Sequence, residues 1–233
     1  MTIDEVYQLV LYSTAKNSSQ GYVSPADFNL TINQAQKSYV SYLLGSFQQY
    51  MPGRPVARVE FGQNTIIRTR LAPIIYWDTL TVDAFGFAPY PADYLQTDAM
   101  FTDTGYSRIR SVQQDHLYAY YNSVIDPIET NPIYILEDTG FHFFPEDIGN
   151  AELSYVGNPP DMIWAYTIDP VSGIPVYSAT GGPSVTPTTG SVPPVWDDAS
   201  ILEIIVRALA IIGVNLQLQT VEQYSLAIKN QGQ

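Results

Sequence analysis

The 233-residue chain contains no cysteine and only two histidines, His116 and His142. Without cysteine there is no disulfide, no thiolate nucleophile and no Cys-ligated zinc. An imidazole-based triad or metal centre has only those two histidines to draw on. Charged residues are scarce at 14%, against about 25% in an ordinary soluble domain. Long apolar runs are also missing. The most apolar window, Ile201 to Ile212, spans 12 residues and carries Glu203 and Arg207, whereas a membrane-spanning helix needs about 20 apolar residues. The opening MTIDEVYQLV has no basic stretch ahead of an apolar one, so no secretory leader is expected. These absences predict a soluble protein made in a reducing cytoplasm, without membrane contact.

Basic residues are few and unevenly placed. The chain has 10 Lys or Arg against 23 Asp or Glu, a net charge of −13. Residues 71–170 hold 15 of the acids but only Arg108 and Arg110, a net of −13 for that region, so the remainder sums to zero. Such a surface repels nucleic acid. Arg54, Arg58, Arg68 and Arg70 form the one basic cluster; it reads either as an anion-facing patch or as solvated strand-edge charges. What the chain has in quantity is Tyr (18) and Pro (17). Few charges with many aromatic side chains is the composition of surfaces that contact other protein.

Periodicity divides the chain. Thr2 and Glu5 make a capping-box pattern, followed by Ile3, Val6, Tyr7, Val10 and Leu11 at helical spacing. In GYVSPADFNLTINQAQKSY, Gly21 to Tyr39, Ser24 is placed to cap a helix with Pro25 at its first position. Phe28, Ile32, Ala35, Tyr39 and Leu43 then share one stripe, with Gly45 and Pro52 at the exit. From Arg54 to about Val176, short runs rich in Ile, Val, Tyr, Phe and Trp are broken by Gly, Pro, Asp and Asn, which reads as strands of a sandwich or barrel. VARVEFGQNTIIRTRLAPIIYW and YSRIRSVQQDHLYAYYNSV are read as strands, and Pro91 to Met100 as a short helix. Thr180 to Pro194, TGGPSVTPTTGSVPP, reads as a stiff extended arm. A helix follows, capped by Asp197 or Asp198, with Ile201, Ile205, Ala208, Leu209 and Ile212 apolar, Glu203 and Arg207 paired, and Gly213 at its end. A last helix runs from about Leu218 to Lys229.

The expected architecture is α+β. It comprises a helical pair at 1–52, an acidic β-rich domain at 53–179, an arm at 180–196, and a second helical pair at 197–233 packing on the first as one bundle. Neither pair alone is large enough to bury its apolar stripe.

Catalytic signatures are sparse. The phosphate-cradling glycine patterns, the nucleophile elbow and the H-E-x-x-H zinc motif do not occur. Asp-Thr-Gly occurs twice, at Asp103-Thr104-Gly105 and Asp138-Thr139-Gly140, and two close carboxylates sharing a proton are aspartic-protease chemistry. Here the glycine is followed by Tyr106 and Phe141 instead of a small residue, and the copies lie 35 positions apart, too close for two lobes. Turn formation is the better reading of both. Trp77, Trp164 and Trp196 are candidates for stacking on sugars if exposed, and otherwise core aromatics. No catalytic residue, metal or cofactor is assigned.

The opening helix–turn–helix resembles that of virion structural proteins of short-tailed bacteriophages of Bacteroidetes, including crAss-like phages. Gly21, Tyr22, Ser24, Pro25, Phe28, Asn29, Ala35 and Gln36 carry the resemblance. At the far end Pro194, Trp196, Ile212, Gly213, Val214, Leu216, Gln223 and Tyr224 fit the same proteins. The layout is similar to head–tail adaptor rings. The resemblance implies a non-enzymatic virion protein in a dodecameric ring between portal and tail, with DNA passing through unbound. Ser24, Pro25, Phe28, Arg54, Arg58, Arg68, Arg70, Trp196, Ile201, Ile205 and Tyr224 are the expected interface residues. The helices at 24–43 and 201–212 would dock, and the arm would clasp a neighbour. Other virion roles (tail or fibre anchoring) and a carbohydrate-binding or glycoside-cleaving protein are the alternatives.

Overall fold

A computed structural model of the chain describes residues 1–17, 23–45, 65–103, 107–121 and 126–215. The fold is mixed α+β, in two units: Met1–Pro73 with Pro159–Gln233, and Ile74–Asn158. The predicted last helix and Gly21, Tyr22, Arg54 and Arg58 lie outside the described residues.

The first unit is built on helices α1 (Ile3–Asn17), α2 (Pro25–Leu43) and α5 (Asp198–Asn215). The capping box at α1 closes in both directions: the Thr2 N–H donates to Glu5 Oε2 at 2.7 Å and the Glu5 N–H to Thr2 Oγ1 at 3.3 Å. Ser24 caps α2, accepting from the Asp27 N–H at 3.2 Å. The predicted stripe Phe28, Ile32, Ala35, Tyr39 and Leu43 is buried. Helix α5 packs along α2 and against α1. It runs through the buried Gly213 to Asn215 instead of ending at that glycine.

The polar residues of α2 hold the unit together. Asn29, Asn33 and Gln36 recur at helical spacing and face the extended segment 160–164. Asn33 donates to the Met162 carbonyl at 2.9 Å and accepts from its N–H at 2.8 Å. Asn29 treats Trp164 in the same way, at 3.1 and 2.8 Å. A side-chain amide thus supplies the donor–acceptor pair that a neighbouring strand would. Gln36, fully buried, donates to the Pro160 carbonyl at 2.9 Å and accepts from Trp196 Nε1 at 3.3 Å. Trp164 lies 4.2 Å from the Tyr7 ring and donates its indole N–H to Asp4 at 2.9 Å.

The predicted proline arm is instead folded onto its own unit. Thr186 exchanges backbone bonds with Tyr166 at 2.8 and 3.0 Å, and Val192 does so with Ile163 at 2.8 and 3.1 Å. Gly190, at φ +85°, turns the chain so close to Thr180 that a Cβ there would lie 2.5 Å from the Gly181 nitrogen. Turn chemistry, not proline stiffness, decides this segment.

The second unit is a sandwich. Strands β1 (Ile75–Leu80), β7 (Ala151–Gly157) and β3 (Tyr94–Thr102) form one sheet, with β7 central and antiparallel to both neighbours. The other, in the order β2–β6–β5–β4, joins Phe87–Pro89, Gly140–Phe144, Ile133–Leu136 and Arg110–Ser111. Leu80, Met100 and Leu153 from one sheet meet Ala88, Phe141 and Phe143 from the other in a shared core. Leu117 and Tyr120, from the short helix α4 (Leu117–Tyr121), cover Ile133, Ile135 and Phe144 on the far face of the second sheet.

Three readings of the strand pattern and one domain boundary are corrected. Thr65–Leu71 is helix α3 and Ala72–Ile74 a 3-10 turn, so only Ile75–Leu80 of that stretch is a strand. Ile67 and Leu71, four apart, satisfy a helical spacing as well as an alternating run does. Residues 114–121 are likewise helical. Conversely, Pro91 to Met100 contributes strand β3, whose pairing with β7 includes two irregularities that blur its alternation. Residues 159–179 belong with the helices, not with the sandwich.

Asn33→Ala removes both partners of the Met162 peptide and is expected to lower unfolding free energy by about 2–4 kcal/mol. Leu30→Ala on the exposed side of the same helix should change it by less than about 0.5 kcal/mol. Urea denaturation followed by circular dichroism measures both.

Candidate functional site

The residues expected at an interface mostly face inward. Phe28, Trp196, Ile201 and Ile205 are 1–5% exposed and Pro25 is buried. The apolar stripes of α2 and α5 are consumed by packing within the chain, so they are not docking surfaces. Ser24 is half-buried and its hydroxyl donates to Asp27 at 2.6 Å. Arg68 and Arg70 are exposed, and Arg70 lies 3.4 Å from Glu203, which also accepts from Arg207 at 3.0 Å. Arg54, Arg58 and Tyr224 fall outside the described residues.

The candidate titratable groups sit in turns and local pairs, and His142 Nε2 is buried without a hydrogen-bond partner. Asp138-Thr139-Gly140 is the turn between β5 and β6, where the Glu137 N–H donates to the Gly140 carbonyl at 2.9 Å. A Cβ on Gly140 would sit 2.3 Å from the Ala88 carbonyl oxygen, so the glycine serves close strand approach. Asp103 of the other copy lies at the end of β3, its N–H donating to the Asn150 carbonyl at 3.3 Å. His142 Nδ1 is 3.0 Å from Glu137 and its ring stacks on Phe144 at 4.7 Å. Exposed His116 is 3.8 Å from its neighbour Asp115. Among the described residues no group of three metal-ligating side chains converges, and no helix is long and apolar enough to cross a membrane.

Tyr76, Tyr90, Tyr94, Tyr134 and Tyr155 gather with Phe141 at the sandwich core. Tyr90 and Tyr94 are stacked at 4.6 Å and 3°. Burial pushes the Tyr155 hydroxyl up to about 12, helped by its hydrogen bond to Asp93 at 2.8 Å. Burial raises Tyr90 and Tyr94 as well. Tyr90, Tyr94 and Tyr155 are thus held as protonated donors at neutral pH, not bases.

Among the described residues, two surfaces stand out. One is the hairpin of β8 (Tyr166–Ile168) and β9 (Pro175–Tyr177). Its root is aromatic, with Tyr166 and Tyr177 each 5.9 Å from Trp164. Its outer part is apolar and open to solvent: Ile168, Val171, Ile174 and Val176 are 51–93% exposed, with Val171 at the tip. Asp169 fixes that tip. Its carboxylate accepts from the Ser172 hydroxyl at 2.6 Å and the Val171 N–H at 3.1 Å, which hold it below the usual carboxylate range. Composition alone does not single out this hairpin, because half-buried strands are equally rich in Val and Ile.

The other surface is the outer face of the β1–β7–β3 sheet, where Trp77 is 58% exposed beside Phe101 and Glu152. Trp164 and Trp196 are buried and cannot stack on a ligand. No protein-family model matches the chain, and no curated protein does.

The Tyr155 shift carries a pH signature. A phenol whose folded pKa is raised stabilises the fold below its unfolded value of about 10, and that contribution disappears as pH rises through about 12. Thermal unfolding should therefore lose stability between about pH 10 and 12. Tyr155→Phe should flatten that decline while lowering stability at neutral pH through loss of the Asp93 bond.

Proposed function

We propose that the chain is a structural subunit of a bacteriophage virion. It would assemble as a ring of identical copies, as a head–tail adaptor between portal and tail, without enzymatic activity. The exposed apolar hairpin is the observation that carries this reading. A two-stranded hairpin is marginal in water by itself. One presenting Ile174 and Val176 on one face, Ile168 on the other and Val171 at its tip gains stability by inserting into a neighbour. A heterologous contact of this kind, repeated around an axis, closes a ring.

The sequence resemblance adds support. Its two halves meet in one place: Gln36 of the opening motif accepts from Trp196, and Tyr39 packs edge-on against Trp196 at 5.5 Å. The residues of the motif thus specify a module that sets the hairpin, not a docking face. In such a ring the strongly acidic sandwich would face the channel and keep DNA from adhering, since like charge repels it at close range.

Native mass spectrometry of the full chain, alone and with the portal protein of its phage, tests assembly. The expected result is a closed ring of about twelve copies. Val171→Asp should shift it to monomer with an unchanged circular dichroism spectrum, because that side chain is solvent-exposed. A native chain that stays monomeric at every concentration, with or without a partner, would overturn the proposal.

A further inference from the structure

Glu152 lies on the outer face of the β1–β7–β3 sheet, half-buried near the start of the central strand. It is the register partner of Thr79 on one side and of Phe101 on the other. One oxygen accepts the Trp77 indole N–H and the other accepts the Thr79 hydroxyl at 3.0 Å. Both donors are neutral, and among the described residues no cation pairs with this carboxylate. Each carboxylate oxygen has two lone pairs, so each retains one acceptor position. Beside it, Trp77 and Phe101 lie nearly parallel, with centroids 6.0 Å apart and planes 15° apart, and the indole is exposed.

A half-buried anion with neutral partners next to an open aromatic face favours a cation. The surroundings reinforce this: residues 74–158 carry 13 Asp or Glu against Arg108 and Arg110, a net of −11. A guanidinium fits better than an ammonium. It is planar, stacks on an indole, and presents paired donors to a carboxylate. Arg108 is the backbone register neighbour of Phe101 on the side away from Glu152, and Trp77 lies on the strand at the opposite side of Glu152.

We propose that this face is a docking site for an arginine-bearing segment of a partner protein, with the guanidinium stacked on Trp77 and paired with Glu152. A second copy of the chain is the poorer occupant. It has 10 basic residues against 23 acidic ones, and Arg70 and Arg207 are already engaged by Glu203. The site is distinct from the hairpin and does not depend on ring assembly.

The test uses the full chain and a fluorescein-labelled Gly-Arg repeat peptide, with Gly-Lys and Gly-Glu peptides as comparators, read by anisotropy at about 0.15 M salt. The arginine peptide should bind at least about fivefold more tightly than the lysine peptide. Trp77→Ala and Glu152→Gln should each weaken it about tenfold, with Trp77→Phe retaining most of the affinity. Asp138→Asn, the same charge change elsewhere on the sandwich, should alter it by less than about twofold. Glu152→Gln keeps one acceptor oxygen for the Trp77 indole N–H and lets the Thr79 hydroxyl rotate to accept from the amide instead, so it carries the test if Trp77→Ala does not fold. Equal binding of the two basic peptides, or equal losses in Asp138→Asn and Glu152→Gln, would show general charge attraction and overturn the proposal. So would a neutral glucan oligosaccharide that binds through Trp77 while the arginine peptide does not, or an assembly of the native chain alone that Glu152→Gln dissociates.

Discussion

Everything in the helical unit depends on one kind of interaction: side-chain amides of α2 pairing with the backbone of residues 160–164. Ile163 pairs with Val192 on one side of this segment, but on the side facing α2 there is no strand to join, and the N–H and carbonyl groups of Met162 and Trp164 would otherwise go unsatisfied. Asn29 and Asn33 solve this by presenting a carbonyl and an amine side by side, as a strand does. Once Trp164 is fixed, Tyr7 and Asp4 of α1 close on it from the other side, and Tyr166 and Tyr177 pack beside it at the root of the hairpin. Gln36 extends the line to Trp196, which orients the approach to α5. One helix face thereby connects α1, the segment 160–164 and the approach to α5.

The sandwich follows a different rule. Its interior is apolar and rich in aromatic rings, and its tyrosine hydroxyls are tied to Asp93, Thr97 and the Glu137 carbonyl. Its acids are spread over the exterior with few bases to offset them. An excess of one charge raises the cost of keeping the unit compact, because like charges repel. A cation delivered to Glu152 would relieve that repulsion at one of the half-buried carboxylates.

The helical elements were legible because their signals are local. The Thr2–Glu5 box, Ser24-Pro25 and the Phe28 to Leu43 stripe are all decided within a few residues. The turn at Asp138-Thr139-Gly140 was legible for the same reason. Thr65–Leu71 and Gln114–Tyr121 were misread because a short apolar run fits either period, and tertiary packing decides between them. Strand β3 was hidden by its irregular pairing with β7.

By itself, the sequence determined the caps, the main apolar stripes, the charge imbalance and the exclusion of cysteine chemistry, since each depends only on residue type and spacing. The tertiary structure decided which surfaces are free. Phe28, Trp196, Ile201 and Ile205 look like docking residues until their partners within the chain are seen. The apolar hairpin and the Trp77–Glu152 pair become candidate sites only because nothing described in the chain covers them. Burial depends on contacts between residues as far apart as Asn29 and Trp164, and no local pattern encodes those contacts.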